Sequence, residues 1–314
     1  MLARTLTVFV LSLLGACSWR PSDPSLPPSE AKIVPLKSER PVVALVLGSG
    51  GSRGFAHIGV IKALEDAGIR PDIVTGASAG AIVAALYAGG RTGRELEEIA
   101  LSLQEGDLVD VTFFGSGWVL GEALQDFVNR MVDDKPIERL ARPFAVVATE
   151  AKTGRMVVFN RGNTGLAVRA SASVPRLFVP PVINGEEYVD GGITSPVPVK
   201  LARAMGADVV IAVDVSWFAQ AREASQDDRA RYGRSGRHAL LTEELDGADI
   251  VIVPRTVRSR MLDFTQKGAN IAAGEAAGRE VAKKVQDAIA HATALKTRLP
   301  VAREDAAVRA NPVR

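Results

Sequence analysis

The feature that most constrains the fold is a serine set between two glycines, where an extended segment gives way to an apolar helix. The residues Gly76-Ala77-Ser78-Ala79-Gly80 follow the strand-like segment 71–75 and precede the apolar segment 81–87. Small neighbours permit the sharp turn of a nucleophile elbow, which exposes the serine hydroxyl at the top of a sheet. The N-terminus of the helix then points at the position where negative charge would develop. Taken alone, the pentapeptide is also compatible with an ordinary turn whose serine has no catalytic role.

Two further segments favour a catalytic interpretation of Ser78. Upstream, the apolar run Val42–Leu47 predicts a buried strand that leads into the glycine-rich loop Gly48–Gly54. Backbone N–H groups in such a loop can converge on an anion. Downstream, Asp190 ends a short strand and is followed by two glycines. Glycine loop, serine and aspartate in this order suggest an acyl-transfer site.

These motifs resemble those of the patatin-like phospholipases, a family of serine lipid hydrolases. The family's glycine loop is matched at Ser49–Gly54, its elbow at Gly76–Gly80 and its Asp-Gly turn at Asp190–Gly192. The stretch Arg169–Pro175 is also similar to the family's segment leading toward the aspartate. The resemblance extends over roughly residues 41–215.

The resemblance implies a Ser-Asp dyad, in which Asp190 accepts the proton of Ser78 directly. It implies an oxyanion hole formed by the backbone N–H groups of Gly50, Gly51 and Arg53. The implied reaction is hydrolysis of a phospholipid or lysophospholipid ester through an acyl-Ser78 intermediate, with a lipid substrate and neither metal nor organic cofactor. An acyltransferase, or an esterase on other lipids, would use the same residues.

One position departs from the family pattern, because Ser49 stands where the loop has its first glycine. This departure puts the conformation of the loop in question more than its chemistry. It is also the one feature that favours a membrane-tethered lipid-binding or regulatory protein with an inactive site. A dinucleotide-binding loop is disfavoured, because that motif read from Gly48 requires a glycine where Arg53 stands.

A serine-histidine-aspartate triad is the competing arrangement. It would combine Ser78 and Asp190 with His238 or His291, in the order found in α/β-hydrolases. His238 lies in a charge-dense segment, and His291 lies near the end of an amphipathic helix. Neither follows a strand on a short loop, so the sequence favours the dyad. His57, which follows the glycine loop, is expected to bond to backbone near the elbow.

The sequence leaves two roles open for the Arg53 side chain. It can attract a phosphate headgroup, or it can hold the loop in place through a carboxylate. Ser171 and Ser173 lack the glycines of an elbow and are expected to shape the approach to Asp190.

Composition is consistent with one large α/β domain. The chain has 314 residues, of which 47% are hydrophobic, and a net charge of +2 that gives no reason to expect nucleic acid as a partner. Three histidines and one cysteine leave no His/Cys metal cluster. We assign the hydrolase domain to residues 41–296 and expect residues 297–314 to be a disordered tail.

Alternating patterns predict a three-layer α/β/α sandwich with a mainly parallel sheet. The predicted strands are Val42–Leu47, Ile73–Thr75, Phe144–Thr149, Arg155–Phe159, Glu187–Val189, Val209–Val215 and Ile250–Val253. The predicted helices are Phe55–Ala67, Gly80–Ala88, Gly93–Leu103, Gly121–Met131, Val199–Met205 and Ala269–His291. The charge-dense region 217–245 is predicted to be a mobile surface loop. The aromatic residues Phe113, Phe114 and Trp118 are expected either to cover the core or to contact an acyl chain.

The amino terminus predicts a lipoprotein. An apolar stretch too short for the roughly 20 residues of a membrane span has the size of a signal-peptide core, so residues 1–16 are assigned as a signal peptide. It ends in Leu14-Gly15-Ala16-Cys17, which resembles a bacterial lipobox, so Cys17 is the expected lipidation site. Ser18, in place of an inner-membrane retention aspartate, points to an outer-membrane protein facing the periplasm. Residues 17–40, rich in proline and serine, are predicted to be an extended tether.

Overall fold

The computed structural model describes residues 26–113, 116–216, 236–257 and 259–298. In these residues the strands are β1 (Val43–Leu47), β2 (Ile73–Ala77), β3 (Phe144–Glu150), β4 (Met156–Phe159), β5 (Val182–Ile183), β6 (Glu186–Val189), β7 (Val209–Val213) and β8 (Ile250–Ile252). The helices are α1 (Phe55–Asp66), α2 (Ala79–Ala88), α3 (Gly93–Ser102), α4 (Glu122–Met131), α5 (Thr164–Ala172), α6 (Val199–Ala204), α7 (Gly236–Leu245) and α8 (Lys267–Arg298).

The strands form one mixed sheet, in which β1 lies between β2 and β7. The order across the described residues is β5-β6-β3-β2-β1-β7-β8, and β4 also pairs with β3. The pairs β1–β2, β2–β3, β1–β7 and β7–β8 are parallel, whereas β3 pairs with β4 and β6 in the antiparallel sense. The predicted α/β class with a mainly parallel sheet is therefore confirmed.

Burial explains why the central strands were recognisable from sequence. Every residue of β1, β2 and β7 is buried. A parallel sheet is covered by helices on both faces, so its strands are apolar on both sides and lack the alternation of an edge strand. The two hydrophobic clusters of the core divide the residues of β1 in turn, with Val43, Leu45 and Leu47 on one face.

Two helices in the described part of the chain were not predicted. The helix α5 is rich in small residues and begins at Asn163, whose side-chain oxygen accepts the N–H of Leu166 at 2.8 Å. The prediction of a loop over 217–245 is wrong for α7, which buries Leu241 against the domain. Residues 217–235 lie outside the described part of the chain.

The first and last helices of the domain pack backbone to backbone. A Cβ atom added to Gly274 of α8 would lie 1.9 Å from the carbonyl oxygen of Ala56 in α1. One added to Gly59 of α1 would lie 1.9 Å from the carbonyl oxygen of Ile271. Glycine is therefore required at both positions. None of the helices in the described ranges is both long and apolar enough to cross a bilayer.

The described part of the predicted tether, residues 26–40, lies along the domain. The N–H of Ala31 donates to the side-chain oxygen of Asn160 at 2.7 Å, and the N–H of Leu36 donates to the carbonyl of Met205 at 2.8 Å. Both partners lie near the edge of the sheet at which the parallel strands begin. We call residues 26–36 the basal strap.

The aromatic side chains of Phe113 and Trp118 do not cover the core. Phe113 is 84% exposed and Trp118 is 63% exposed. Phe114 lies outside the described residues.

Candidate active site

The elbow at Ser78 has the geometry that its sequence predicts. Ser78 lies between β2 and α2 with a φ angle of +54°, a conformation rare for a residue that carries a side chain. A Cβ atom at Gly76 would lie 2.7 Å from the carbonyl oxygen of Gly80. One at Gly80 would lie 2.1 Å from the carbonyl oxygen of Leu47. Both glycines are therefore required for the strand and helix to meet at this angle.

Ser78 and Asp190 meet at the edge of the sheet where the parallel strands end. The Ser78 hydroxyl donates to Oδ2 of Asp190 at 2.5 Å, and the two residues are 6% and 7% exposed. The other carboxylate oxygen, Oδ1, accepts the N–H of Gly192 at 2.7 Å. The carboxylate is thus oriented by the backbone and accepts a hydrogen bond from the serine hydroxyl, an arrangement suited to a general base.

Two further serines form hydrogen bonds to the backbone of this pair. The sequence predicted both near Asp190, which describes the role of Ser171 incompletely. The N–H of Ser78 donates to the Ser171 hydroxyl oxygen at 2.9 Å. The N–H of Asp190 donates to the carbonyl of Ser173 at 2.9 Å. Both serines were expected near Asp190, yet Ser171 supports Ser78. No local pattern marks this role, because it depends on how α5 packs against α2.

Gly50 and Gly51 of the glycine loop line a cavity together with Ser78 and Asp190. Among the described residues, the N–H groups of Gly50 and Gly51 make no hydrogen bond to the rest of the protein. Gly51 has a φ angle of +59°, which favours glycine, and a Cβ at Gly50 would lie 2.6 Å from the Val215 side chain. The third predicted donor, Arg53, lies in the 3-10 helix Gly51–Gly54 that continues the loop. The oxyanion roles of these residues stay predictions.

Ser49 is accommodated without the loss of either free donor. Its N–H donates to the carbonyl of Pro196 at 2.8 Å, so this group faces the protein instead of the site. A Cβ on Gly192 would lie 2.7 Å from the Ser49 hydroxyl oxygen, which shows how closely the loop and the Asp-Gly turn approach each other. The departure from the family pattern therefore leaves Gly50 and Gly51 in place.

The environment of Arg53 is compatible with both of its predicted roles. Burial lowers the pKa of its guanidinium, and the charge of Asp214 opposes that effect. Asp214 is itself 1% exposed. The charge of Asp214 therefore acts on Arg53, and the arginine also borders the polar cavity described below.

His57 contacts the glycine loop, as expected. It is fully buried, and its Nε2 lies 2.8 Å from the carbonyl oxygen of Gly48, to which it donates. Burial lowers its pKa to about 4, so the ring is neutral at physiological pH. Of the two triad candidates, His291 is exposed on α8 and borders neither cavity at Ser78. His238 lies in α7, and its side chain is outside the described residues.

Two cavities meet at Ser78. The first is lined almost entirely by apolar side chains, among them Ile82, Leu86, Leu103, Leu108, Phe127 and Phe178. The second contains Arg53 and Asp190 together with the glycine loop. An ester whose carbonyl carbon lies at Ser78 can therefore place an apolar chain on one side and a polar group on the other.

A buried glutamate supports the segment that holds Ser49. Glu244 of α7 is 4% exposed, and its carboxylate accepts the Ser195 hydroxyl and, at 2.8 Å, the N–H of Val197. Pro196, which accepts the Ser49 N–H, lies between these two partners. Burial raises the pKa of Glu244 to about 7, and the hydrogen bonds oppose the shift only partly. Sequence reasoning missed Glu244, because it lies in a run of charged residues.

Comparison with known proteins identifies a matching family and several proteins of similar sequence. Residues 45–203 match the family model described as patatin-like phospholipase. An uncharacterized NTE family protein of Mycobacterium tuberculosis is 38% identical over 60% of this chain and 53% of its own length. Human patatin-like phospholipase domain-containing protein 6 is 38% identical over 62% of this chain but 14% of its own length. The chain thus spans about half of the mycobacterial relative and a small part of the human one.

A solved structure supports the fold. VipD from Legionella pneumophila superposes with a TM-score of 0.55 over 82% of this chain and 71% of its own, at 15% sequence identity. At that identity the likeness concerns the fold alone.

Proposed function

This chain belongs to the patatin-like phospholipase family, and we propose that it hydrolyses phospholipid or lysophospholipid esters through an acyl-Ser78 intermediate. The observation that carries the proposal is the 2.5 Å hydrogen bond from the Ser78 hydroxyl to Asp190. The proposal is further supported by the cavities, because Gly50 and Gly51 line the same polar cavity as Ser78 and Asp190, and Ser78 also borders the apolar cavity.

In the first half of the reaction, Ser78 Oγ attacks the ester carbonyl carbon while its proton passes to Asp190. The carbonyl oxygen becomes an oxyanion, which the N–H groups of Gly50 and Gly51 stabilise, with Arg53 as a third candidate donor. Loss of one such donor typically reduces turnover about 10²–10³-fold. When the tetrahedral intermediate collapses, the bond to the leaving alcohol breaks and Asp190 returns the proton to that alcohol.

In the second half, water replaces the alcohol. Asp190 accepts a proton from the water, whose oxygen attacks the acyl-Ser78 carbonyl. Collapse of the second intermediate releases a fatty acid, and the proton returns to Ser78 Oγ. No step requires a group beyond these side chains, the backbone donors and water.

The test of this function is a hydrolysis assay on a panel of esters. Wild-type protein and the Ser78→Ala variant are incubated with p-nitrophenyl esters, phospholipids and lysophospholipids, with a chelator present. We expect product from the wild type alone, and the panel identifies the preferred headgroup. A well-folded wild type that hydrolyses none of them would contradict the proposal and favour the lipid-binding alternative.

We also propose that Cys17 carries the lipid that anchors the protein to the outer membrane. The support is the lipobox-like sequence Leu14–Cys17, with Ser18 after it. A full-length Cys17→Ala variant expressed in a Gram-negative host is expected to lose fatty-acid labelling and to leave the membrane fraction. Equal labelling and membrane association of the variant and the wild type would overturn this assignment.

A further inference from the structure

Four of the described residues border both cavities at the candidate site. They are Gly51, Ser78, Val174 and Met261. The first two supply the oxyanion donor and the nucleophile. The side chains of Val174 and Met261 therefore form the boundary between the apolar and the polar cavity.

The backbone around Met261 is fixed to the glycine loop. The N–H of Ser52 donates to the carbonyl of Met261 at 2.9 Å. The Ser52 hydroxyl lies 2.7 Å from both the Ser259 hydroxyl and the carbonyl oxygen of Arg260. The segment 259–261, which lies beyond the residues that match the family model, is thus attached to the loop that would hold the oxyanion.

The side chains of Val174 and Met261 differ in conformational freedom. Val174 is branched at Cβ, which restricts its χ1 angle, and its carbonyl accepts the N–H groups of Leu177 and Phe178 at 3.1 and 2.9 Å. Met261 is unbranched, with rotatable bonds that let it fill irregular space, and it is 45% exposed. Met261 is therefore the side of the boundary that can move.

The small volume of the apolar cavity means that movement of Met261 affects which acyl chains can enter it. The cavity has a volume of about 120 Å³, and an engineered protein cavity of about 150 Å³ binds benzene. This smaller cavity therefore accommodates at most about six carbons without rearrangement. A longer acyl chain must displace a lining side chain or extend out of the cavity, and Met261 is the flexible side chain that borders both cavities beside Ser78.

We propose that Met261 determines which acyl groups reach Ser78, by setting the width of the passage from the ester carbonyl into the apolar cavity. The inference rests on the proposed esterase function and adds its acyl specificity. A smaller residue at position 261 opens the passage to longer or branched chains. A larger, stiffer residue closes it to all but short ones.

The test is the acyl-chain profile of kcat/KM on p-nitrophenyl esters of increasing length. We compare wild type, Met261→Ala, Met261→Phe and Met261→Leu in the full chain. Met156→Ala is the matched control, because Met156 is 44% exposed on β4 and borders neither cavity. Thermal unfolding of each variant verifies that it is folded.

The expected result is a shift in opposite directions. Met261→Ala raises kcat/KM for long relative to short chains by about tenfold, and Met261→Phe lowers the same ratio by a similar factor. Met261→Leu, which conserves volume, and Met156→Ala keep the wild-type profile. Identical profiles for folded Ala, Phe and wild-type proteins would overturn the role of Met261 while leaving the esterase function intact.

A second readout separates the two proposals. Alkyl fluorophosphonates with short and long chains label a nucleophilic serine without any deacylation step, and mass spectrometry measures the rate at Ser78. We expect the Met261 variants to change the ratio of long-chain to short-chain labelling in the same directions. Absence of both labelling and Ser78-dependent hydrolysis in the wild type would overturn the proposed function and this inference together.

Discussion

Replacing Asp190 with asparagine is expected to lower kcat for ester hydrolysis by about 10³-fold while the protein stays folded. The amide keeps the shape of the side chain, and its oxygen can still accept the N–H of Gly192. Its nitrogen would then face Ser78, where it donates a hydrogen bond instead of accepting the hydroxyl proton. The variant therefore loses proton transfer but retains the local structure. Steady-state and single-turnover rates on the best ester of the panel measure the effect.

The histidine variants provide the control. His291→Ala is expected to keep wild-type kcat, because His291 is exposed on α8 and borders neither cavity at Ser78. His238→Ala is expected to do the same. If Asp190→Asn retained near-normal rates while one histidine variant lost them, a triad would replace the dyad as the catalytic arrangement.

Replacing Glu244 with glutamine is expected to remove a pH-dependent loss of stability. Burial raises the pKa of Glu244 from its ordinary value of 4.5 to about 7 in the folded protein. Between these pH values the folded protein keeps a proton that the unfolded chain has released. The free energy of unfolding therefore falls as pH rises through this window, and the loss persists above pH 7. Glutamine cannot ionise, and its amide can donate to the Ser195 hydroxyl while its oxygen accepts the Val197 N–H.

Denaturant unfolding at several pH values measures this contribution. From pH 5 to pH 8, the stability of Glu244→Gln relative to wild type should increase by about 2–3 kcal/mol. Glu243→Gln is the matched control, because Glu243 is exposed and pairs with Lys200, which lowers its pKa. That variant should show no such change above pH 5. A flat difference for Glu244→Gln across the same range would mean that Glu244 stays ionised in the folded protein.

The sequence predicted best those elements whose signal is local. The strands β1 and β2 and the elbow at Ser78 have compositions that their own geometry requires. The helix α5 was missed because it packs through small residues: a Cβ at Gly165 would lie 2.2 Å from the carbonyl oxygen of Gln125 in α4. Such close packing replaces the broad apolar stripe by which helices are recognised.

The remaining parts of the site depend on tertiary contacts. Motif order indicated that Ser78 and Asp190 meet, and they do so across 112 residues of chain; their catalytic roles stay predictions. Nothing local to Ser171 or Glu244 indicates that one supports the nucleophile and the other the segment behind the glycine loop. Met261 lies in no motif, and only the fold brings it to the cavity boundary.

The position of the basal strap would influence how a molecule anchored through the proposed lipid on Cys17 faces its membrane. It lies at the edge where the parallel strands begin, whereas Ser78 lies at the edge where they end. Eight residues separate Cys17 from Leu26. A fully extended linker of this length spans at most about 30 Å. If Cys17 carries the proposed lipid, the edge at which the parallel strands begin would lie nearer to the bilayer than the edge that carries Ser78. Lipids that leave the bilayer, such as single-chain lysophospholipids, would then reach Ser78 more readily than lipids of the anchoring leaflet.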